Sequence, residues 1–229
     1  MRALGIDTST RAGSIGLWGD DGLSGEVDLR SGVTHSEKLL PAVSALLETA
    51  GLDVEGLDLL AVACGPGSFT GLRIGIATAA GLAMAATRPL LGFSTLETTA
   101  LACMQSLPAN DTATVCVLLD AGRGEVYRGV YRRAPDGAQP LLPDAAVAPQ
   151  RAVERLPEGC VICGDGVAVL PEPVRSRLGE AGLLVASLSI GLMLAQRAVG
   201  HARLHGLQRL PPPLPIYLRP SDAEVSRRP

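Results

Sequence analysis

The chain has 229 residues, of which 47% are hydrophobic, 19% charged and only 3% aromatic, so its core must be built from Leu, Val, Ile and Ala. That length allows one large domain or two small ones with real cores. A net charge of −3 argues against a protein organised around nucleic acid, whose phosphates call for a basic face.

In chain order, residues 3–6 form a short apolar strand that runs into Asp7-Thr8-Ser9-Thr10. Residues 14–18 resume as strand, Gly19-Asp20-Asp21-Gly22 turns, and 26–29 make a third strand, a pattern of antiparallel neighbours. Thr34-His35-Ser36-Glu37 predicts a capping box, with Thr34 as N-cap and Glu37 reaching back. The helix that follows, 36–50, carries Leu39, Leu40, Val43, Leu46 and Leu47 on one face and stops at Gly51. A buried strand at 57–63, a glycine loop, a helix at 72–86, a strand at 89–92 and a helix at about 95–105 complete a β-β-β-α-β-α-β-α order.

Pro108-Ala109-Asn110-Asp111 breaks the chain, and the pattern partly restarts. Residues 113–119 are strand, 120–124 turn and 125–131 return as strand, while 135–143 are loop with a short strand. Further on, the pattern predicts a helix at 149–156, strands at 160–163 and 183–186, and a helix at 189–204 whose apolar face includes Ile190, Leu194 and Ala198. From Pro211 the tail is extended, docked by Ile216, Tyr217 and Leu218. Two lobes result, 1–106 and 107–229, each opening with antiparallel strands that lead to an aspartate-bearing turn.

The segment between the fourth strand and its helix, Gly65-Pro66-Gly67-Ser68-Phe69-Thr70-Gly71-Leu72-Arg73-Ile74-Gly75, has the strand–loop–helix form that presents backbone N–H groups to an anion. It is not a Walker A loop, because Lys38 is the only lysine in the chain. Nor is it a dinucleotide fingerprint, because the next strand is followed by Phe93 and Ser94 rather than a carboxylate. A nucleophile elbow needs glycine where Pro66 stands. By itself the segment reads as a tight turn that lets strand and helix pack closely.

Five cysteines, an odd number, speak against a disulfide framework. Cys160 and Cys163 spell C-x-x-C, but within a strand they point to opposite faces, so core cysteines are expected and no metal. No charged segment precedes an apolar one at the start, and helix 74–86 is too short to cross a bilayer, so a cytoplasmic protein without membrane contact is expected. The three histidines, His35, His201 and His205, are read as lying in different segments, which leaves no triad.

With Asp7-Thr8-Ser9-Thr10 and Asp120 on two hairpins, the architecture resembles the actin, sugar-kinase and Hsp70 (ASKHA) superfamily. The resemblance implies an α/β, two-lobed actin-like ATPase fold, each lobe a mixed sheet opening with antiparallel strands and flanked by helices. More narrowly, Ile6–Thr10, His35-Ser36-Glu37-Lys38-Leu39-Leu40-Pro41, the Gly65–Gly75 loop, Asp120 to Tyr127, Gly164-Asp165-Gly166 and Pro215-Ile216-Tyr217-Leu218-Arg219 resemble the bacterial TsaB (YeaZ) family. One departure stands out: where the family pattern runs Asp-Ala-Arg-x-Gly-Glu-Val-Tyr, this chain has Gly122 and Arg123, so the arginine is displaced by one.

The resemblance implies a part in making threonylcarbamoyladenosine on ANN-decoding tRNAs, as partner of a TsaD-type transferase. It implies a heterodimer with that paralogue, a TsaE-type ATPase in the assembly, a homodimer in isolation, and tRNA reached only through the complex. TsaD-like enzymes hold a metal through an H-x-x-x-H helix near His35; here Leu39 stands in the second place, so a non-catalytic subunit is expected. The alternatives are an ATP-dependent small-molecule kinase of the same fold and a glycoprotease-like hydrolase. Candidate phosphate-binding residues are Asp7, Thr8, Ser9, Thr10, Gly65, Gly67, Ser68 and Asp120, with ATP or ADP at the complex interface and no intrinsic cofactor. Small residues at Gly75, Ala79 and Ala83 let a second helix backbone approach. Together with Leu39, Leu40, Val43, Leu46, Leu47, Arg73 and Ile76, they are the expected partner interface.

Overall fold

The structure, a computed structural model, describes residues 1–29, 35–108, 113–135, 137–181, 183–185, 188–207 and 213–219, apart from the side chains of His35 and Ser36. Thr34, the expected N-cap, lies outside the described residues, as do Ala186 and the expected break at 109–111. The chain divides into two units, Met1–Thr98 with Ser189–Pro215, and Thr99–Leu188 with Ile216–Pro229.

In the first unit, β1 (Arg2–Asp7), β2 (Ser14–Gly19) and β3 (Ser24–Asp28) are antiparallel neighbours, and β4 (Leu59–Ala63) and β5 (Leu90–Phe93) add in parallel, giving the order β3-β2-β1-β4-β5. Alternation along β1 and β2 sends Leu4, Ile6, Ile15 and Leu17 to one face. There they meet Leu39, Val43, Leu46 and Leu47 of α1 (His35–Thr49) and Ala79 and Ala83 of α2 (Phe69–Ala85). Each buried leucine contributes roughly 2 kcal/mol. A core cluster of this size therefore ties both helices to the sheet.

The opposite face receives α5 (Gly191–His205) through glycine on glycine. Gly5 and Gly16 are directly paired across β1 and β2. A Cβ on Gly5 would lie 2.1 Å from the Gly191 carbonyl oxygen, and one on Gly16 would lie 2.0 Å from the Leu192 nitrogen. The strands also cap the helix: the buried Ser14 Oγ accepts from the N–H groups of Ile190 (3.1 Å) and Gly191 (2.8 Å), and Glu26 accepts from that of Leu192 (2.9 Å). The expected two-lobe division put this helix with the second half of the chain; its contacts put it on the first sheet.

The second unit has β6 (Thr114–Gly122), β7 (Glu125–Ala134) and β8 (Gly137–Val147) antiparallel and β9 (Val161–Cys163) parallel to β6, in the order β8-β7-β6-β9. Its core joins Cys116, Leu118, Val126, Val130 and Ile162. Three local expectations change here. The loop with a short strand expected at 135–143 gives way to β8, an edge strand of 11 residues, and the helix expected at 149–156 reduces to a single 3-10 turn at Pro149–Arg151. The strand expected at 183–186 is one bridge from Leu184 to Ile162. In addition α4 (Glu172–Glu180) falls outside the sequence expectations: it has no fully buried residue, and its apolar face is only the half-buried pair Val174 and Leu178. Helix α3 spans Thr95–Ser106, with the division between the units falling within it in sequence, after Thr98.

Candidate functional site

Parallel pairing of β1 with β4 and of β4 with β5 brings three carboxyl ends together, the edge at which open α/β sheets bind ligands. The turn after β1 is nearly closed to solvent: Asp7, Thr8 and Ser9 are 4%, 1% and 1% exposed. The Asp7 carboxylate accepts from the Ser9 N–H at 2.8 Å and from the Ser9 hydroxyl at 2.5 Å. The Thr8 hydroxyl donates to the Gly71 carbonyl at 2.7 Å, and the Ser68 N–H donates to the Ser9 carbonyl at 2.7 Å.

The glycines of the loop explain themselves by contact. A Cβ at Gly67 would stand 2.4 Å from the Ser9 carbonyl oxygen, at Gly71 2.0 Å from that of Thr8, and at Gly75 2.2 Å from the Thr8 hydroxyl. Their absence of bulk seats the first turns of α2 on the Asp7–Thr10 turn. Ser68 caps α2 by accepting from the Gly71 N–H at 3.2 Å, while Gly65 exchanges hydrogen bonds with Thr95, as donor at 3.1 Å and acceptor at 2.8 Å. Three amides of the loop, those of Gly65, Ser68 and Gly71, are thus engaged within the protein.

Asp120 belongs to the second unit, at a bulge where β6 passes into a turn with positive φ at Gly122, Arg123 and Gly124 (68°, 55° and 75°). Its carboxylate accepts from the Gly122 N–H at 2.8 Å, and its own N–H donates to Asp165 at 3.0 Å. Burial raises the Asp165 carboxyl above its ordinary range, and the neighbouring Asp120 charge adds to this. The C-terminal segment is held to this hairpin by Arg219, the last residue of the Pro215–Arg219 motif, which donates to the Glu125 carboxylate at 2.9 Å and to the Ala121 carbonyl at 3.1 Å. Ile216 and Tyr217, expected to dock it, are 40% and 42% exposed.

The expected partner interface needs correction. Leu39, Val43, Leu46, Leu47, Gly75, Ala79 and Ala83 are buried, the last two against the protein's own core, because the small strip of α2 faces inward toward β1 and β4. An arginine at Ala79, wholly buried, would test the fold rather than an interface. What remains outward from the expected set is Leu40, half exposed, Arg73, and in part Ile76. Arg73 lies over the Phe69 ring, 3.9 Å from its centroid. Ser44 and Ala45 of α1 and Ala77 and Gly81 of α2 are exposed, and Met84 at the end of α2 is 77% exposed. The pair therefore offers two apolar side chains and several small residues, with Glu37, Glu48 and Arg73 also exposed.

All five cysteines are buried and free. Burial pushes the thiols of Cys64 up to about 11 and of Cys160 up to about 12, and holds Cys116 higher still, so they remain protonated and poor nucleophiles at neutral pH. His201 and His205, expected in different segments, stand one turn apart on α5 with ring centroids 4.5 Å apart. Among the described residues, no group of three or more His, Cys, Asp or Glu side chains is placed to hold a metal, and no helix is long and apolar enough to cross a membrane.

A sheet of three antiparallel strands extended by two parallel ones, with a second sheet opening in the same way, defines an actin-like ATPase fold. A sequence profile of the tRNA N6-adenosine threonylcarbamoyltransferase (TsaD) family matches residues 30–197. The tRNA threonylcarbamoyladenosine biosynthesis protein TsaB of Escherichia coli is 41% identical over 137 residues, which span 60% of this chain and 58% of that protein. TsaB of Haemophilus influenzae is 31% identical over 230 residues, spanning 96% and 94% of the two chains. The solved structure of YeaZ from Pseudomonas aeruginosa superposes with a TM-score of 0.73 at 29% identity, covering 95% of this chain and 99% of that one. This chain belongs to the TsaB (YeaZ) family of tRNA threonylcarbamoyladenosine biosynthesis proteins.

Proposed function

We propose that the chain is a cytoplasmic, non-catalytic partner subunit of the threonylcarbamoyl-transferring complex, binding a TsaD-type transferase through the outward faces of α1 and α2. The observation that carries this reading is the exposed apolar pair Leu40 and Met84 on two adjacent helices that also expose the small residues Ser44, Ala45, Ala77 and Gly81, beside the charged Glu37, Glu48 and Arg73. Such a surface suits a helix pair of similar shape, which a paralogue of the same fold supplies. Without that paralogue the same face pairs two copies about a two-fold axis. A TsaE-type ATPase joins the assembly, tRNA is met only through it, and ATP or ADP binds at the complex interface. The buried, internally bonded state of Asp7 and Ser9 supports a supporting rather than a catalytic role.

The test is light scattering after size exclusion, with and without the transferase, alongside a tRNA-modification assay on the same mixtures. The expected result is a homodimer that becomes a heterodimer, with modification only in the mixture. The double variant Leu40→Glu/Met84→Glu, both at exposed positions, should abolish both assemblies and reduce modification at least tenfold while the thermal midpoint stays put. An intact heterodimer from that variant moves the interface elsewhere. Mg-ATP turnover with a small-molecule acceptor by the chain alone would establish the kinase reading instead, and peptide hydrolysis the glycoprotease-like one.

A further inference from the structure

We propose that His201 and His205 form a two-imidazole clamp for a late first-row divalent cation, of the Ni2+, Cu2+ or Zn2+ kind, at the end of α5. The spacing is the first argument: residues four apart on a helix share a face, and His201 and His205 have ring centroids 4.5 Å apart with planes inclined at 45°. Two imidazoles that each bind one metal at about 2.0–2.1 Å have centroids roughly 4.5–5 Å apart, so the rings need only turn, not travel.

The surroundings are the second argument. Both rings line one recess with Leu59, Pro89, Leu91 and Leu207, apolar side chains that offer no competing metal donor. His201 is steadied by Phe93, which meets it edge to face with centroids 6.5 Å apart. His205 lies in the last turn of α5, where the unpaired carbonyl ends of the helix favour a cation, and His201 stands one turn before it. The two arginines nearby have their charge answered elsewhere: Arg197 pairs with Glu97 at 2.7 Å, and Arg203 with Asp20.

Two protein ligands leave the remaining coordination positions to water or to a donor from another molecule. The affinity order Cu2+ over Ni2+ and Zn2+ is expected for imidazole ligands.

Calorimetric titration of the tag-free full chain with Ni2+ and with Zn2+ tests the clamp. One equivalent should bind, and the metal should raise the thermal midpoint. His205→Asn, at an exposed position, and His201→Asn should each weaken binding by roughly tenfold or more, because a chelate becomes a single contact, and should lose the thermal gain. His35→Gln should keep both. Because the buried thiols are the rival donors, Co2+ is added as a spectroscopic probe, and its bound form should show no thiolate charge-transfer band. Equal binding by the His205→Asn chain, loss of binding with His35→Gln, a thiolate band, or no binding at all would each overturn the assignment.

Discussion

The glycines of the two candidate turns look alike in sequence and do different work. In the first unit Gly67, Gly71 and Gly75 have ordinary backbone angles, and any side chain would strike Thr8 or Ser9 within 2.4 Å. In the second unit Gly122 and Gly124 have nothing within 4 Å of where a Cβ would be, but both have positive φ. These three glycines of the first loop serve space and those of the second turn serve conformation, although Gly65, at the head of the first loop, also has a positive φ of 109°. A glycine-rich loop beside a helix N-terminus is therefore weak evidence of a phosphate cradle until its contacts are seen: here the space is already filled by the protein's own Asp7–Thr10 turn.

The difference predicts opposite sensitivities. Gly71→Ala should show the largest effect, a loss of about 3 kcal/mol, because the new methyl meets backbone rather than a side chain that can swing away. Its better helix propensity, about 1 kcal/mol, offsets only part of this. Gly124→Ala should lose about 1 kcal/mol, the cost of a left-handed backbone for an L-residue, with no packing change. Gly81→Ala, in the same helix as Gly71 but exposed with nothing within 4 Å, should gain roughly 0.5–1 kcal/mol in the isolated chain. Urea denaturation of the three variants checks the ranking; similar losses at Gly71 and Gly124 would dissolve the distinction between space and conformation.

The same contrast explains what could be read from sequence. Strands β1, β2 and β4 and helices α1 and α2 declare themselves because each buries apolar residues, and the family motifs lie along them, whereas β3, with no buried residue, was legible from the turn before it. The leucine stripe of α1 was legible too, but not where it pointed; a stripe facing its own sheet and one facing a partner have the same period. β8 was obscured by Pro140 and Pro143 and by register shifts against β7, features an edge strand tolerates. The seat of α5 was hidden because its capping groups, Ser14 and Glu26, lie more than 160 residues away in sequence. One signal was available: Gly5 and Gly16 fall at matching places in the two strands of the first hairpin, which clears a lane across the sheet.

The smallest expected effect concerns the loop where both uses of glycine meet. Gly164 has φ of 100° and its Cβ would lie 2.1 Å from the Leu118 carbonyl oxygen, and Asp165 beside it is held against β6 by the Asp120 N–H. Because burial raises the Asp165 carboxyl, the folded state holds this proton more tightly than the unfolded chain does. The ionised carboxylate therefore costs stability at neutral pH, and the cost fades as pH falls through the carboxylate range. Asp165→Asn keeps an oxygen to accept from Asp120 and removes the charge. It should be slightly more stable than the parent at pH 7 and indistinguishable near pH 4, measured by urea denaturation at the two values. A variant that is less stable at pH 7 would mean that the negative charge strengthens the hydrogen bond to β6 by more than burial penalises it, and that this loop, unlike the Gly65–Gly75 turn, is built around an anion of its own.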